Sequence, residues 1–121
     1  MTLVFRDVPR GHDLQVTGVG VDQHAIRVEY RITPALPRPG GRPAIRWAWR
    51  GSDELGSLYV QAGGAVGQSE DQEATTGVLS LTPIPAAGVH TLEIVLEPWI
   101  GREGDQGSVS FKVVLNVPAD R

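Results

Sequence analysis

Three histidines are the side chains of this sequence best suited to proton transfer or metal binding. They are His12, His24 and His90, and each belongs to a different stretch of the chain. A zinc site or a catalytic site needs two or three such groups converging with a carboxylate. Because these three fall on different predicted elements, we expect them to be turn and strand-end residues rather than ligands.

Two acidic clusters could supply oxygen ligands to a cation. One contains Glu70, Asp71 and Glu73, and the other contains Asp53 and Glu54. Calcium loops space their carboxylates regularly, as in Asp-x-Asp-x-Asp-Gly, and neither cluster follows that pattern. We therefore expect both clusters to be solvated, and the sequence predicts no metal and no other cofactor.

No motif typical of a catalytic centre occurs in the chain. Gly-x-Ser-x-Gly and Walker sequences are missing, and Gly18-Val-Gly20 lacks the third glycine and the following helix of a dinucleotide-binding loop. The chain has no cysteine, which excludes disulfides and thiolate nucleophiles. The sequence therefore predicts that the protein is not an enzyme.

Charge and hydropathy argue against two classes of partner. The formal net charge of −3 provides no basic footprint for nucleic acid. No run approaches the roughly 18 apolar residues that span a bilayer, and the first residues do not resemble a signal peptide. Taken as the native start, this N-terminus predicts a cytoplasmic protein that binds neither nucleic acid nor a membrane.

Apolar residues alternate with polar ones along most of the chain. Between 25 and 33, Ile26, Val28, Tyr30 and Ile32 share one face, which a helix of period 3.6 would not produce. Clusters of glycine and proline separate the alternating segments. The predicted strands are 13–21, 25–33, 44–50, 57–61, 77–82, 90–97 and 108–117. Residues 3–5 are a candidate for a short additional edge strand.

Seven such strands predict a single all-β domain over 1–121, with its core in about 13–117. The expected fold is a seven-stranded antiparallel sandwich of two sheets. Trp47 in the third strand, and the crossing from Leu81 to Ile94, resemble an immunoglobulin-like or fibronectin type III-like domain. His90 stands where that family usually has tyrosine, and we expect a hydrogen-bonding corner residue there. The turn 53–56, common in bacterial sandwich domains, predicts a positive φ at Gly56.

The resemblance implies an up-and-down order that gathers three long loops at one pole. These loops are 34–43, 62–76 and 98–107, and loops at one end of a sandwich are the usual place for recognition. Trp99 follows Pro98 in the last of them, and exposed tryptophan is common at binding hot spots. The candidate binding residues are Arg38, Arg42, Glu70, Asp71, Trp99 and Arg102.

A second candidate surface is the outer face of the third, sixth and seventh predicted strands, which we call strands C, F and G. Strand C carries Arg46 and Arg50, strand F carries Glu93 and Glu97, and strand G carries Lys112. Cross-strand attraction favours the order C–F–G, with carboxylates between cations. Ala48, Val95 and Val114 are expected to add a small apolar patch to this face.

Together these observations predict a non-catalytic interaction or accessory domain that binds a protein partner. Contact would be through the three loops or through the C–F–G face. A carbohydrate-binding module is one alternative, but it needs two coplanar exposed aromatics, and only Trp99 and Tyr59 are candidates. A structural or assembly subunit that pairs through its strand edges is the other alternative.

Overall fold

A computed structural model describes residues 2–36, 45–69, 73–100 and 107–115 of the chain. Within these ranges the protein is all-β and has no helix, and so no helix long and apolar enough to cross a membrane. The strands are β1 (Leu3–Arg6), β2 (Asp13–Val21), β3 (Ile26–Thr33), β4 (Ile45–Asp53), β5 (Leu58–Gln68), β6 (Thr75–Thr82), β7 (Thr91–Ile100) and β8 (Val109–Val114).

Period-two burial places the core as the alternation predicts. In β3 the side chains of Ile26, Val28, Tyr30 and Ile32 are buried, while the residues between them face outward or are half-buried. The alternating apolar residues of β7 and β8 are buried in the same way. The predicted edge strand over residues 3–5 is also confirmed, since it is β1.

All eight strands belong to one antiparallel sheet, in the order β1-β2-β3-β6-β5-β4-β7-β8. This differs from the expected pair of separate sheets. β5 pairs first with β4, through residues 58–60, and then with β6, through residues 60–68. A single strand therefore joins the two layers, and the sheet curls into a nearly closed barrel.

The prediction of a loop over 62–76 is wrong for residues 62–68, which are part of β5, and for residues 75–76, which begin β6. Glycine and alanine dominate this stretch, so it lacks the alternation that marks a strand. A bulge between Gln61 and Gly64, with Gly63 at φ 112°, lets β5 change direction and continue along β6.

β1 and β8, the two ends of the sheet, face each other across the remaining gap. The rings of Phe5 and Phe111 lie with their centroids 6.0 Å apart at this seam. Gly107, which precedes β8, lies beside Val8, which follows β1. Side-chain packing rather than a ladder of main-chain hydrogen bonds therefore closes the barrel in the described residues.

The β4–β5 turn has the predicted conformation. Gly56 has a φ of 85°, and Asp53 Oδ1 accepts hydrogen bonds from the N–H groups of Leu55 and Ser57 at 2.9 and 3.0 Å. The hydroxyl of Tyr59 donates to the other carboxylate oxygen of Asp53 at 2.7 Å. This turn sets the register in which β5 leaves β4.

The close contact of β5, β6 and β3 at Gly77 gives a test of the fold. A Cβ atom at Gly77 would lie 2.5 Å from the carbonyl oxygen of Ala65 and closer still to the hydroxyl of Tyr30. We expect Gly77→Ala to lower the free energy of unfolding by about 1–3 kcal/mol, as overpacking does. Chemical denaturation measures it.

Gly67→Ala, one strand away, is the matched control. A Cβ atom there would meet no atom within 4 Å. Its effect should stay within about 0.5 kcal/mol, as for an open surface position. Equal losses for the two variants would contradict the described packing at Gly77.

Candidate functional site

Two neighbouring strands extend beyond their partners at one end of the barrel. β4 pairs with β5 only through residues 50–52, and β7 pairs with β8 only through residues 91–96. Residues 45–49 of β4 and 97–100 of β7 thus form a two-stranded ribbon, called the ribbon below. No other strand in the described ranges pairs with its outer edges.

All three tryptophans of the chain lie on this ribbon. Trp47 and Trp49 belong to β4 and face inward, whereas Trp99 belongs to β7 and lies opposite Arg46 on the outer face. Each of the three is half-buried. Tryptophan is enriched among residues that dominate binding energy, so the ribbon is the first candidate for a binding surface.

The predicted position of Trp99 in a loop over 98–107 is wrong, because residues 98–100 continue β7. Pro98 suggested a strand end, since proline has no N–H for a ladder. Here it is paired with Trp47 on one side, and the β8 ladder has already ended on the other. Proline is tolerated where one side of a strand is free.

Both inward tryptophans are fixed by hydrogen bonds from their indole nitrogens. Trp47 Nε1 donates to the hydroxyl of Tyr30 at 3.2 Å, and the two rings meet edge to face with centroids 5.0 Å apart. Trp49 Nε1 donates to the carbonyl oxygen of Ser80 at 2.8 Å, where β6 passes the β5 bulge. Both residues pack on the core but remain half-exposed.

A groove of about 150 Å³ opens between the ribbon and β5. Tyr30, Trp47, Trp49 and Leu79 provide most of its apolar wall. Val66 of β5, 42% exposed, forms the opposite rim. Arg46 is the one charged residue among the described lining, so the groove combines an apolar interior with a positive rim.

The outer face of β4, β7 and β8 has the predicted charge order. Glu93 lies directly opposite Lys112, and Glu97 lies opposite Ala48, between Arg46 and Arg50. The expected strand order C–F–G is confirmed as β4-β7-β8. No ion pair forms among these charges in the described residues, where the ion pairs are Arg6–Asp13 and Arg27–Asp22. Within the described residues, these charged side chains are therefore available to interact with the charges of a partner.

The remaining predicted binding residues are Arg38, Arg42, Glu70, Asp71 and Arg102, which all lie outside the described residues. The stacking pair that the carbohydrate-binding alternative would need is not formed by Trp99 and Tyr59, because Tyr59 is only 2% exposed. Its hydroxyl is bound to Asp53, as described above. Val114, from the predicted apolar patch, is 80% exposed, while Ala48 and Val95 are half-buried.

The three histidines lie in separate turns. His12 Nδ1 is hydrogen-bonded to the carbonyl oxygen of Pro34 at 2.7 Å, and the main-chain N–H of His24 donates to Asp22 at 2.7 Å. Within the described ranges no group of three or more histidine, cysteine, aspartate or glutamate residues could hold a metal ion.

The corner at His90 is held by its main chain. The N–H groups of His90 and Thr91 both donate to Glu54 Oε1, and the carbonyl of His90 accepts from Leu115 N–H at 2.6 Å. These two N–H groups, His90 first, hold the pKa of Glu54 below its ordinary value of 4.5. Sequence reasoning missed this role for Glu54, because 36 residues separate it from His90.

The arrangement offers binding chemistry: fixed aromatic rings, an apolar groove, and charges of both signs that form no ion pair within the described ranges. Comparison with protein-family models, curated proteins and solved structures finds no match for this chain. The assignment of the ribbon as a site therefore rests on its geometry.

Tyr30→Phe tests the position of Trp47. The change removes the acceptor of the Trp47 indole and keeps the ring, so we expect a loss of about 1 kcal/mol in unfolding free energy. In a ¹⁵N spectrum the Trp47 indole signal should shift strongly, while that of Trp49, bound to Ser80, should stay. A spectrum with both signals unchanged would contradict the Trp47–Tyr30 hydrogen bond.

The pH dependence of stability tests the Glu54 corner. A carboxylate with a lowered folded-state pKa stabilises the protein above its ordinary pKa, and this contribution is lost as pH falls. Glu54→Gln should therefore destabilise the protein at pH 7 and have progressively less effect below pH 4.5. Denaturant unfolding at pH 7 and near pH 3 compares the two conditions.

Asp22→Asn is the contrasting control. Hydrogen bonds from Arg27, and then from the N–H groups of His24 and Ala25, lower the pKa of Asp22 to about 2. Its contribution should therefore begin to fall only below pH 3.8 and be lost as the pH passes about 2, whereas that of Glu54 begins to fall below pH 4.5. If the two variants lose their effects over the same pH range, the assigned difference between the two carboxylates is wrong.

Proposed function

We propose that this chain is a non-catalytic interaction module that binds a protein partner through the outer face of the ribbon. The observation that carries the proposal is the half-buried Trp99, on a face whose charged residues form no ion pair within the described part of the chain. Arg46 lies opposite Trp99, and Glu97 and Arg50 follow on the same face. A large aromatic group ringed by polar residues is the usual form of an interface centre.

The charges favour a protein over the other partner classes. Arg46, Arg50 and Glu97 present both signs within a small area, so a complementary partner must also carry both. Protein surfaces offer such mixed patterns, and matching them gives specificity and fast association. A polysaccharide platform would need a second coplanar aromatic beside Trp99, and Tyr59 is buried in the core.

We also propose that the fold is a variant of the immunoglobulin-like or fibronectin type III-like sandwich. The order β2-β3-β6 would be one layer, and β5-β4-β7-β8 the other, with β4, β7 and β8 as strands C, F and G. In this variant the long β5 joins the layers along β6. This proposal supports the functional one, since such domains mostly bind partners or act as spacers.

The proposed function is tested by recovery of partners on the tagged full-length chain. Trp99→Ala and Arg46→Glu should each reduce recovery of a specific partner roughly tenfold, as expected for a loss of about 1.4 kcal/mol. Isotope-based mass spectrometry quantifies the recovered proteins. Far-UV circular dichroism and unfolding curves establish that each variant is folded.

Arg10→Glu is the matched charge reversal. Arg10 is exposed in the β1–β2 turn, outside the ribbon, so its reversal should leave recovery unchanged. Size-exclusion chromatography of the same proteins tests the alternative that the chain is an assembly subunit, because it measures whether copies of the chain associate. If Trp99→Ala dissociates a large species without changing the recovery of any other protein, the ribbon joins copies of this chain and the proposal is overturned.

A further inference from the structure

The edge of β4 that faces the groove presents its main chain. Asp53 N–H donates to the carbonyl oxygen of Ser57 at 3.1 Å, on the β5 side. Main-chain groups alternate in direction along an antiparallel strand, so Trp49, Trp47 and Ile45 direct their N–H and C=O groups to this side too. Pro98, which has no N–H, lies opposite Trp47 and agrees with this phase.

β5 does not take up the main-chain groups of Trp47 and Ile45. It pairs with β4 only over residues 58–60 and then follows β6 beyond the bulge. Residues 45–49 of β4 therefore have a ladder partner on the β7 side alone in the described part of the chain. The natural complement of such an edge is another extended backbone, which supplies donors and acceptors with the same spacing.

The side chains around this edge differ on its two faces. The rings of Trp47 and Trp49 lie toward the groove. Arg46 and Arg50 alternate with them on the outer face, and Arg46 also reaches the groove rim. Neither arginine forms an ion pair in the described residues. A strand added here would place every second side chain against the tryptophans and the others beside the arginines.

We propose that this groove binds an extended segment of a protein partner that adds to β4 as a further strand. The segment alternates apolar residues, which enter the groove, with acidic residues, which lie beside Arg46 and Arg50. The inference rests on the proposed function only in assigning the segment to a protein. Its apolar residues enter the groove on the opposite face of the ribbon from Trp99, and its acidic residues approach Arg46 and Arg50 from the free edge of β4.

The size of the groove favours a strand over a small-molecule ligand. Pockets for drug-sized ligands usually have volumes of roughly 300–1,000 Å³, and this groove has about 150 Å³. That space suits one or two side chains. A five-residue edge spans about 17 Å, enough for several main-chain hydrogen bonds to one peptide.

Selection from a random heptapeptide display library on the folded full-length chain tests the inference. The enriched peptides should alternate apolar and acidic residues. One of them, synthesised with blocked ends, should shift the Trp47 and Trp49 main-chain amides in a saturable manner. The Trp99 indole signal should move much less. Replacing the acidic residues of that peptide with lysine should weaken binding at least about tenfold.

Val66→Glu places a charge on the groove rim and should also weaken the peptide at least about tenfold. Val4→Glu is the matched control, because Val4 is 49% exposed on β1, and it should leave the affinity unchanged. No enrichment of alternating peptides, or equal losses for the two variants, would overturn the inference.

Partner recovery with the same variants separates this inference from the proposed function. If Trp99→Ala abolishes recovery of the partner and no peptide binds the groove, the groove inference fails and the proposed function stands. If the peptide binds as expected while Trp99→Ala leaves partner recovery unchanged, the outer-face proposal is wrong and the groove inference stands. Loss of the partner with both Trp99→Ala and Val66→Glu, together with peptide binding, supports both.

Discussion

The path of β5 determines most of the architecture of this protein. At Val60 the strand is paired with Arg50 of β4 on one side and with Thr82 of β6 on the other, and beyond the bulge it follows β6 alone. This change of partner joins the two layers into one sheet. It also leaves part of β4 without a ladder partner along one edge in the described residues, and it opens the groove behind the tryptophans. The fold and the candidate site therefore have the same cause.

The tryptophans illustrate how a site can be rigid and exposed together. Trp47 and Trp49 bury their indole N–H groups in hydrogen bonds to β3 and β6, which fixes the rings without covering them. A fixed ring loses little conformational entropy when a partner binds, so more of the contact energy is available to affinity. Trp99, on the other face of the ribbon, lies opposite Arg46 and on the same face as Glu97. The ribbon can thus present two chemically different faces.

The alternation of apolar residues and the order of charged residues predicted the features that depend on neighbouring strands, namely the buried faces and the strand order. The alternation in β3 gave its buried face, and the order of arginine, glutamate and lysine gave the arrangement of β4, β7 and β8. The continuation of β5 was missed because Gly63, Gly64 and Ala65 show no alternation. β7 was ended too early because Pro98 normally stops a ladder. The bonds from Trp49 to Ser80 and from His90 to Glu54 join positions more than 30 residues apart, and no local pattern signals them.

The seam between β1 and β8 makes the barrel unequal in its resistance to opening. Elsewhere, separating two strands breaks a ladder, whereas at the seam, in the described residues, side-chain contacts such as that of Phe5 with Phe111 must separate. Regions with few cooperative hydrogen bonds open at a lower free energy than the rest of a domain. Once the seam is open, β1 is held to β2 by a ladder of four residue pairs, and breaking this short ladder would release β1 as an arm while β2 to β8 remain folded. A detached arm can pair with the same site on a second molecule, which is the route to domain-swapped dimers.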